Sequence, residues 1–202
     1  MIMISKLANL LTDKLLLNGT IDSEDKELYD YGIFMLISHS LFFIVTCVLG
    51  LVLNCLLEGI IFYVVFMFIR GYAGGYHAKT ETRCEIFSAL SILCCIVLIK
   101  CSKMYDINIV LLSTSLVFAV LIFIFCPLDT PEKPLTDKEH KYFRKISLII
   151  LSLIIVAIIV SFIFKFNIIF APCCVSVILE GVLIGTGQIK KAYSKKRANS
   201  QV

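Results

Sequence analysis

Three long apolar blocks, at residues 33–69, 86–126 and 146–187, constrain this chain more than anything else in it. Each is roughly 40 residues long and would extend about 60 Å as one straight helix. The hydrocarbon core of a bilayer is only about 30 Å thick. Each block must therefore double back and cross twice. Polar interruptions mark the turning points, at Asn54 to Glu58, Lys100 to Asp106 and Lys165 to Asn167. Six helices are predicted, at 33–53, 56–69, 86–101, 107–126, 146–164 and 168–187. The second and third are short for full spans and are expected to tilt, insert partially or thin the bilayer. The fold class is all-α, a polytopic membrane protein of three helical hairpins. Composition agrees, because 59% of residues are hydrophobic and only 17% charged. A soluble domain with that balance lacks the polar surface to cover its core. At 202 residues, one domain over 1–202 is expected.

Ahead of the first block, Ile4, Leu7, Ala8, Leu11 and Leu15 recur at helical spacing among polar residues. That pattern predicts an amphipathic helix in the 1–30 segment, lying in the membrane interface or packed on protein. The first 17 residues lack the continuous apolar core and small-residue cleavage site of a secretory signal.

The basic residues give an orientation. Sixteen of the nineteen lysines and arginines fall in the 1–30 segment, the 70–85 loop, the 127–145 loop and the 188–202 tail. The hairpin tips hold only Lys100, Lys103 and Lys165. Positive charge stays on the cytoplasmic side of a membrane. Both termini and both longer loops are therefore expected in the cytosol. The basic tail is expected to be mobile and to meet anionic lipid headgroups.

Nine cysteines are an odd count, no CxxC occurs, and Cys94-Cys95 and Cys173-Cys174 are adjacent pairs within apolar runs. Neither a disulfide framework nor a zinc site is expected. Eight of the nine read as small packing residues. The ninth, Cys84, lies outside the apolar runs in a polar loop that also holds His77, seven residues earlier, and Gly71, Gly74 and Gly75. Thr82-Arg83-Cys84-Glu85 before an apolar run reads as a capping box with Thr82 as N-cap. Cys84 would then lie in a first helical turn, where the helix dipole and Arg83 favour thiolate over thiol. His77 has the ordinary pKa of a general base at neutral pH. Residues 77–84 as one helix would hold the pair about 10 Å apart along the axis, so a turn is expected between them. The glycines also offer backbone amides for an oxyanion. A solvated histidine and an interfacial cysteine remain the plain alternative. The Ala-Gly-Gly-Tyr-His-Ala-Lys-Thr run is not a phosphate loop, because positions 73 and 78 are alanine where that motif has glycine. Within the apolar runs, Glu180 is expected to line a cavity or meet a basic residue, and His39 to hydrogen-bond between helices.

This loop resembles the accessory gene regulator protein B (AgrB) family, the membrane cysteine endopeptidases that process autoinducing-peptide precursors in Gram-positive bacteria. Arg70, the Gly74-Gly75-Tyr76-His77 run and Cys84 carry the resemblance. The segment from Pro127 through Lys133 and Pro134 is similar to the family's second cytosolic segment. The resemblance implies that Cys84 attacks a backbone carbonyl of a short AgrD-type precursor with His77 as base. An internal cysteine or serine of the peptide then closes a thiolactone or lactone ring. It further implies supporting roles for Arg70 and Gly75, a homodimer in the plasma membrane, and no cofactor, metal or nucleic acid. Arg70 and the basic residues of the 127–145 loop, with Lys133, Lys141, Arg144 and Lys145 among them, are candidates for capturing an acidic precursor tail. Glu81 and Asp129 are guesses for a third catalytic group. The alternatives are a thiol protease that only hydrolyses, and a non-catalytic peptide transporter.

Overall fold

The computed structural model describes residues 2–75, 81–128 and 136–199, with side chains undescribed at 2–3, 81–84 and 194–199. Its architecture is all-α. Helix α1 spans Ile2–Leu17, α2 Lys26–Val52, α3 Leu56–Ala73, α4 Glu81–Met104, α5 Asn108–Phe125, α6 Asp137–Ile163 and α7 Asn167–Asn199. Six of these, α2 to α7, are long and apolar enough to cross a membrane. They pair as three hairpins, turning at 53–55, 105–107 and 164–166, within or next to the polar interruptions.

Two of the hairpin turns share one device with the end of α1. Asn54 and Lys165 have φ of 55° and 57°, and Gly19 has 64°. After each helix a six-to-one hydrogen bond closes, Thr20 to Leu15, Cys55 to Gly50 and Phe166 to Ser161. A five-to-two bond nests inside it, Gly19 to Leu16, Asn54 to Leu51 and Lys165 to Phe162. These are Schellman caps, which satisfy the last carbonyls of a helix within three residues.

Every span but α5 runs beyond its predicted limits on at least one side. Helix α2 starts seven residues earlier than position 33, α6 starts at Asp137 rather than 146, and α7 continues to Asn199 rather than stopping at 187. The tail expected to be mobile is thus helical through most of its length. Helix α4, at 24 residues, is not short. Hydropathy reads the part of a helix that lipid or protein covers, whereas Lys, Glu and Ala extend it into polar surroundings at little cost. At the start of α6 a capping box holds the extension: Thr136 accepts from the Glu139 amide, and the Glu139 carboxylate accepts from the Thr136 amide.

Helix α7 forms the centre. In its apolar stretch 72% of residues are buried, against 11% to 33% in the other five. It packs against α3, α4, α5 and α6. Small side chains on its inner faces, Ala171, Cys173, Cys174, Ser176 and Gly181, let neighbours approach closely. A Cβ on Gly181 would lie 2.5 Å from the Phe118 ring of α5. Ser176 donates across to the Phe62 carbonyl of α3 at 3.0 Å. Of the eight cysteines other than Cys84, Cys55, Cys95, Cys126, Cys173 and Cys174 are buried, as packing residues should be.

Helix α1 lies against α2, with Ala8 and Thr12 buried and Thr12 donating to Asp30. Lys26 pairs with Asp13 at 2.8 Å. Leu7, Leu10, Leu11 and Leu17 stay exposed. One face of α1 is therefore packed on protein, and the leucines remain available to lipid. His39 does bridge helices, though through its backbone: its carbonyl accepts from the Tyr63 hydroxyl at 2.9 Å.

Candidate active site

Residues 76–80, including His77, lie outside the described residues, as do 129–135, including Asp129 and Lys133. Cys84 and Glu81 are described in backbone alone. The expected turn between His77 and Cys84 falls on this segment. What the structure does describe is the frame on either side of it.

Cys84 sits in the first turn of α4, as expected, but the helix is already running at Glu81. Thr82 is therefore inside the helix and is not its N-cap. The sequence pattern was right about the first turn but placed the start of the helix too late in the chain. The Thr136–Glu139 box, with the same Thr-x-x-Glu signature, was there to be read and was missed.

On the other side, α3 ends at Ala73 and the chain turns through Gly74 and Gly75, with φ of 73° and 146°. Neither conformation suits a residue with a side chain. Crowding excludes one as well. A Cβ on Gly74 would lie 2.8 Å from the Leu128 carbonyl oxygen. A Cβ on Gly75 would collide with the Arg70 guanidinium, and Leu183 of α7 would stand 3.4 Å away.

Arg70, in the last turn of α3, folds forward over this turn. Its Nη1 donates to the Gly74 carbonyl at 2.6 Å, while the Gly74 amide donates to the Arg70 carbonyl at 3.3 Å. An arginine there also complements the negative end of the helix dipole. The same Nη1 lies 3.9 Å from Oε1 of Glu180 on α7. The Glu180 side chain is 0% exposed, and neither carboxylate oxygen has a hydrogen bond among the described residues. Of the two expectations for Glu180, the basic partner is the one observed. Arg70 is turned inward, toward protein.

The second loop meets the first at this point. The Leu128 amide donates to the Ala73 carbonyl at 2.9 Å, and Gly74 pairs with Leu128 in a short parallel bridge. Arg144 of α6 donates to the Cys126 carbonyl at 3.2 Å, and Phe143 packs on Tyr72 with ring centroids 6.1 Å apart. The ends of α3 and α5, the start of α6 and the middle of α7 are thereby joined. Lys141 and Lys145 are exposed on α6, and Arg144 is half-buried. Cys126 is a second thiol at this end, buried just past α5. Burial pushes its pKa up by more than nearby Arg144 draws it down. That opposes a nucleophilic role and suits packing. Among the described residues no His, Cys, Asp and Glu cluster could hold a metal ion.

Sequence comparisons define the class. A family model, accessory gene regulator B (AgrB), matches residues 4–184. A putative AgrB-like protein 2 of Clostridium perfringens is 32% identical over 171 residues, covering 82% of this chain and 80% of that protein. An accessory gene regulator protein B of Staphylococcus intermedius is 32% identical over 112 residues, covering 55% of this chain and 58% of that one. Protein FsrB of Enterococcus faecalis is 29% identical over 113 residues, covering 56% and 47%. No solved structure matches. This chain is a multi-spanning membrane protein of a quorum-sensing class. It belongs to the accessory gene regulator B family.

Proposed function

We propose that the protein is a membrane cysteine endopeptidase that trims a short quorum-sensing precursor and closes it into a ring. The observation that carries this is the His77–Cys84 pair, seven residues apart within the family-matched region, with Cys84 in the first turn of α4. His77 takes the Cys84 proton as the sulfur attacks a backbone carbonyl of the precursor. The amide bond breaks, the departing amine takes that proton, and the N-terminal part of the peptide stays on Cys84 as a thioester. A cysteine thiol or serine hydroxyl within the peptide then attacks the thioester carbonyl. Its proton passes through His77 to the leaving Cys84 sulfur, and a thiolactone or lactone is released. The thioester keeps the acyl group reactive, so ring closure needs no nucleotide, provided water is excluded. The substrate is an AgrD-like peptide, and the working unit is a homodimer.

The active face is cytosolic in this reading, since sixteen of nineteen basic residues share its side. Labelling of Cys84 by a membrane-impermeant thiol reagent added outside intact cells would overturn that orientation. The function is tested by expressing the chain with the precursor encoded beside it and weighing the products. A cyclic product is one water lighter than the hydrolysed fragment, and it must vanish in Cys84→Ala. A linear fragment alone means a protease that only hydrolyses. Unchanged processing in Cys84→Ala means the chain is not the peptidase.

A further inference from the structure

Glu180 is the one charged side chain among the described residues that is both fully buried and without a hydrogen bond to either oxygen. An ionisable group at this depth is costly, and it persists where it has a task. Its surroundings specify one. The cation beside it is Arg70 at 3.9 Å, and the same Arg70 nitrogen donates to the Gly74 carbonyl. Gly74 is bridged to Leu128 of the second loop. Gly75 lies against the guanidinium so closely that no Cβ fits. Two residues further on comes His77.

We propose that Glu180 is a positioning residue for the His77 loop. It acts through Arg70 and not on substrate. The carboxylate fixes the guanidinium from inside the bundle. The guanidinium fixes the Gly74 carbonyl, and that holds the backbone from which the His77 segment departs. Helix α7 is the most enclosed of the six spans, so the anchor stands on an element held by neighbours on most sides. A carboxamide at 180 keeps the shape of the side chain but loses the charge that aligns Arg70. This rests on the proposed role of His77 as the base for Cys84.

The experiment uses the full chain in proteoliposomes and iodoacetamide as probe. Alkylation of Cys84 is timed by mass spectrometry of its peptide and expressed per folded molecule. Glu180→Gln should slow Cys84 alkylation about tenfold, toward the His77→Ala rate, because misplacing a base by about 1 Å has effects of that order or larger. Glu180→Asp should recover part of the loss. Adding Glu180→Gln to Arg70→Ala should slow it no further, because the first residue acts through the second. A wild-type rate in folded Glu180→Gln overturns the proposal, and so do losses that multiply in the double variant. If Glu180→Gln does not accumulate, Glu180→Asp decides alone: a wild-type rate per folded molecule overturns the proposal, and a reduced one supports it. A Cys84 rate indifferent to His77→Ala would sink the dyad itself, whatever Glu180 does.

Discussion

Helix α3 carries an acid–base pair at each end, about 18 Å apart along its axis. At its start Glu58 meets Lys103 of α4 in direct hydrogen-bonding contact. The lysine is 39% exposed, so water reaches the pair and a contact links two hairpins near their tips. At its end Arg70 faces Glu180 at 3.9 Å, with no hydrogen bond between them and no water-exposed carboxylate. The first pair is satisfied and borders solvent. In the second the Glu180 carboxylate has no hydrogen bond among the described residues, and the pair sits under two glycines that tolerate no side chain. A pair that served stability alone would resemble the first. The second gives up contact geometry, and what it borders is the loop expected to do chemistry.

The largest expected effect separates two thiols at the same end. Cys84→Ala and His77→Ala should each lower precursor cleavage at least about 1,000-fold with insertion intact, as losing a nucleophile or base does. Cys126→Ala, in the same loop system, should keep cleavage within about threefold per folded molecule, because its thiol packs. Equal losses in all three would erase the distinction between site and frame.

Next comes the glycine turn. Gly75→Ala should cost cleavage about a hundredfold, since it combines a positive φ with a collision against Arg70. Gly71→Ala, four residues earlier with open space around it, should change cleavage by less than about twofold. Matching losses at the two glycines would show the close approach to be irrelevant. Both are read as initial cleavage rates in proteoliposomes.

A smaller effect is expected on the outer rim of the site end. Lys141, Arg144 and Lys145 replaced together by Gln should raise the apparent KM about three- to tenfold and weaken its dependence on salt. The kcat should move less. Because Arg144 also holds the Cys126 carbonyl, the pair Lys141→Gln and Lys145→Gln should show the same trend without disturbing the loop. A collapsed kcat at unchanged KM would make these residues structural.

The smallest effect belongs to the other pair. Glu58→Gln should leave cleavage unchanged and lower stability by about 1 kcal/mol or less, because a partly exposed ion pair is worth little. Thermal unfolding in detergent measures it. A cleavage defect larger than that of Glu180→Gln would invert the comparison.

The spans were legible in the sequence because lipid imposes a length and a composition. Asn54 and Lys165 marked turns for the same reason: only short polar interruptions permit a fold-back. Helix ends were not legible in this way, since Lys26, Asp137 and the 188–199 segment carry helix without carrying hydropathy. The candidate dyad was visible as a spacing, and Glu180 as an oddity in an apolar run. What sequence could not supply was the joining of distant parts. Nothing in the pattern around Leu128 announces that its amide reaches Ala73, or that Arg70 turns back toward α7. Those contacts depend on which helices become neighbours, and hydropathy carries no record of that.

The enclosure of α7 bears on the order in which the molecule is made. The five spans before it leave the ribosome first, and none of them buries more than a third of its apolar stretch in the finished bundle. The faces they turn toward α7 stay without that partner until α7 arrives. Only then do Ser176 reach the Phe62 carbonyl and Glu180 come beside Arg70. A chain halted before residue 167 would keep the packing of α3 on α2 and α6 and of α4 on α2, but it would lack its most enclosed span, and the turn at Gly74 would lose the Glu180 anchor. Assembly of the candidate site waits for α7.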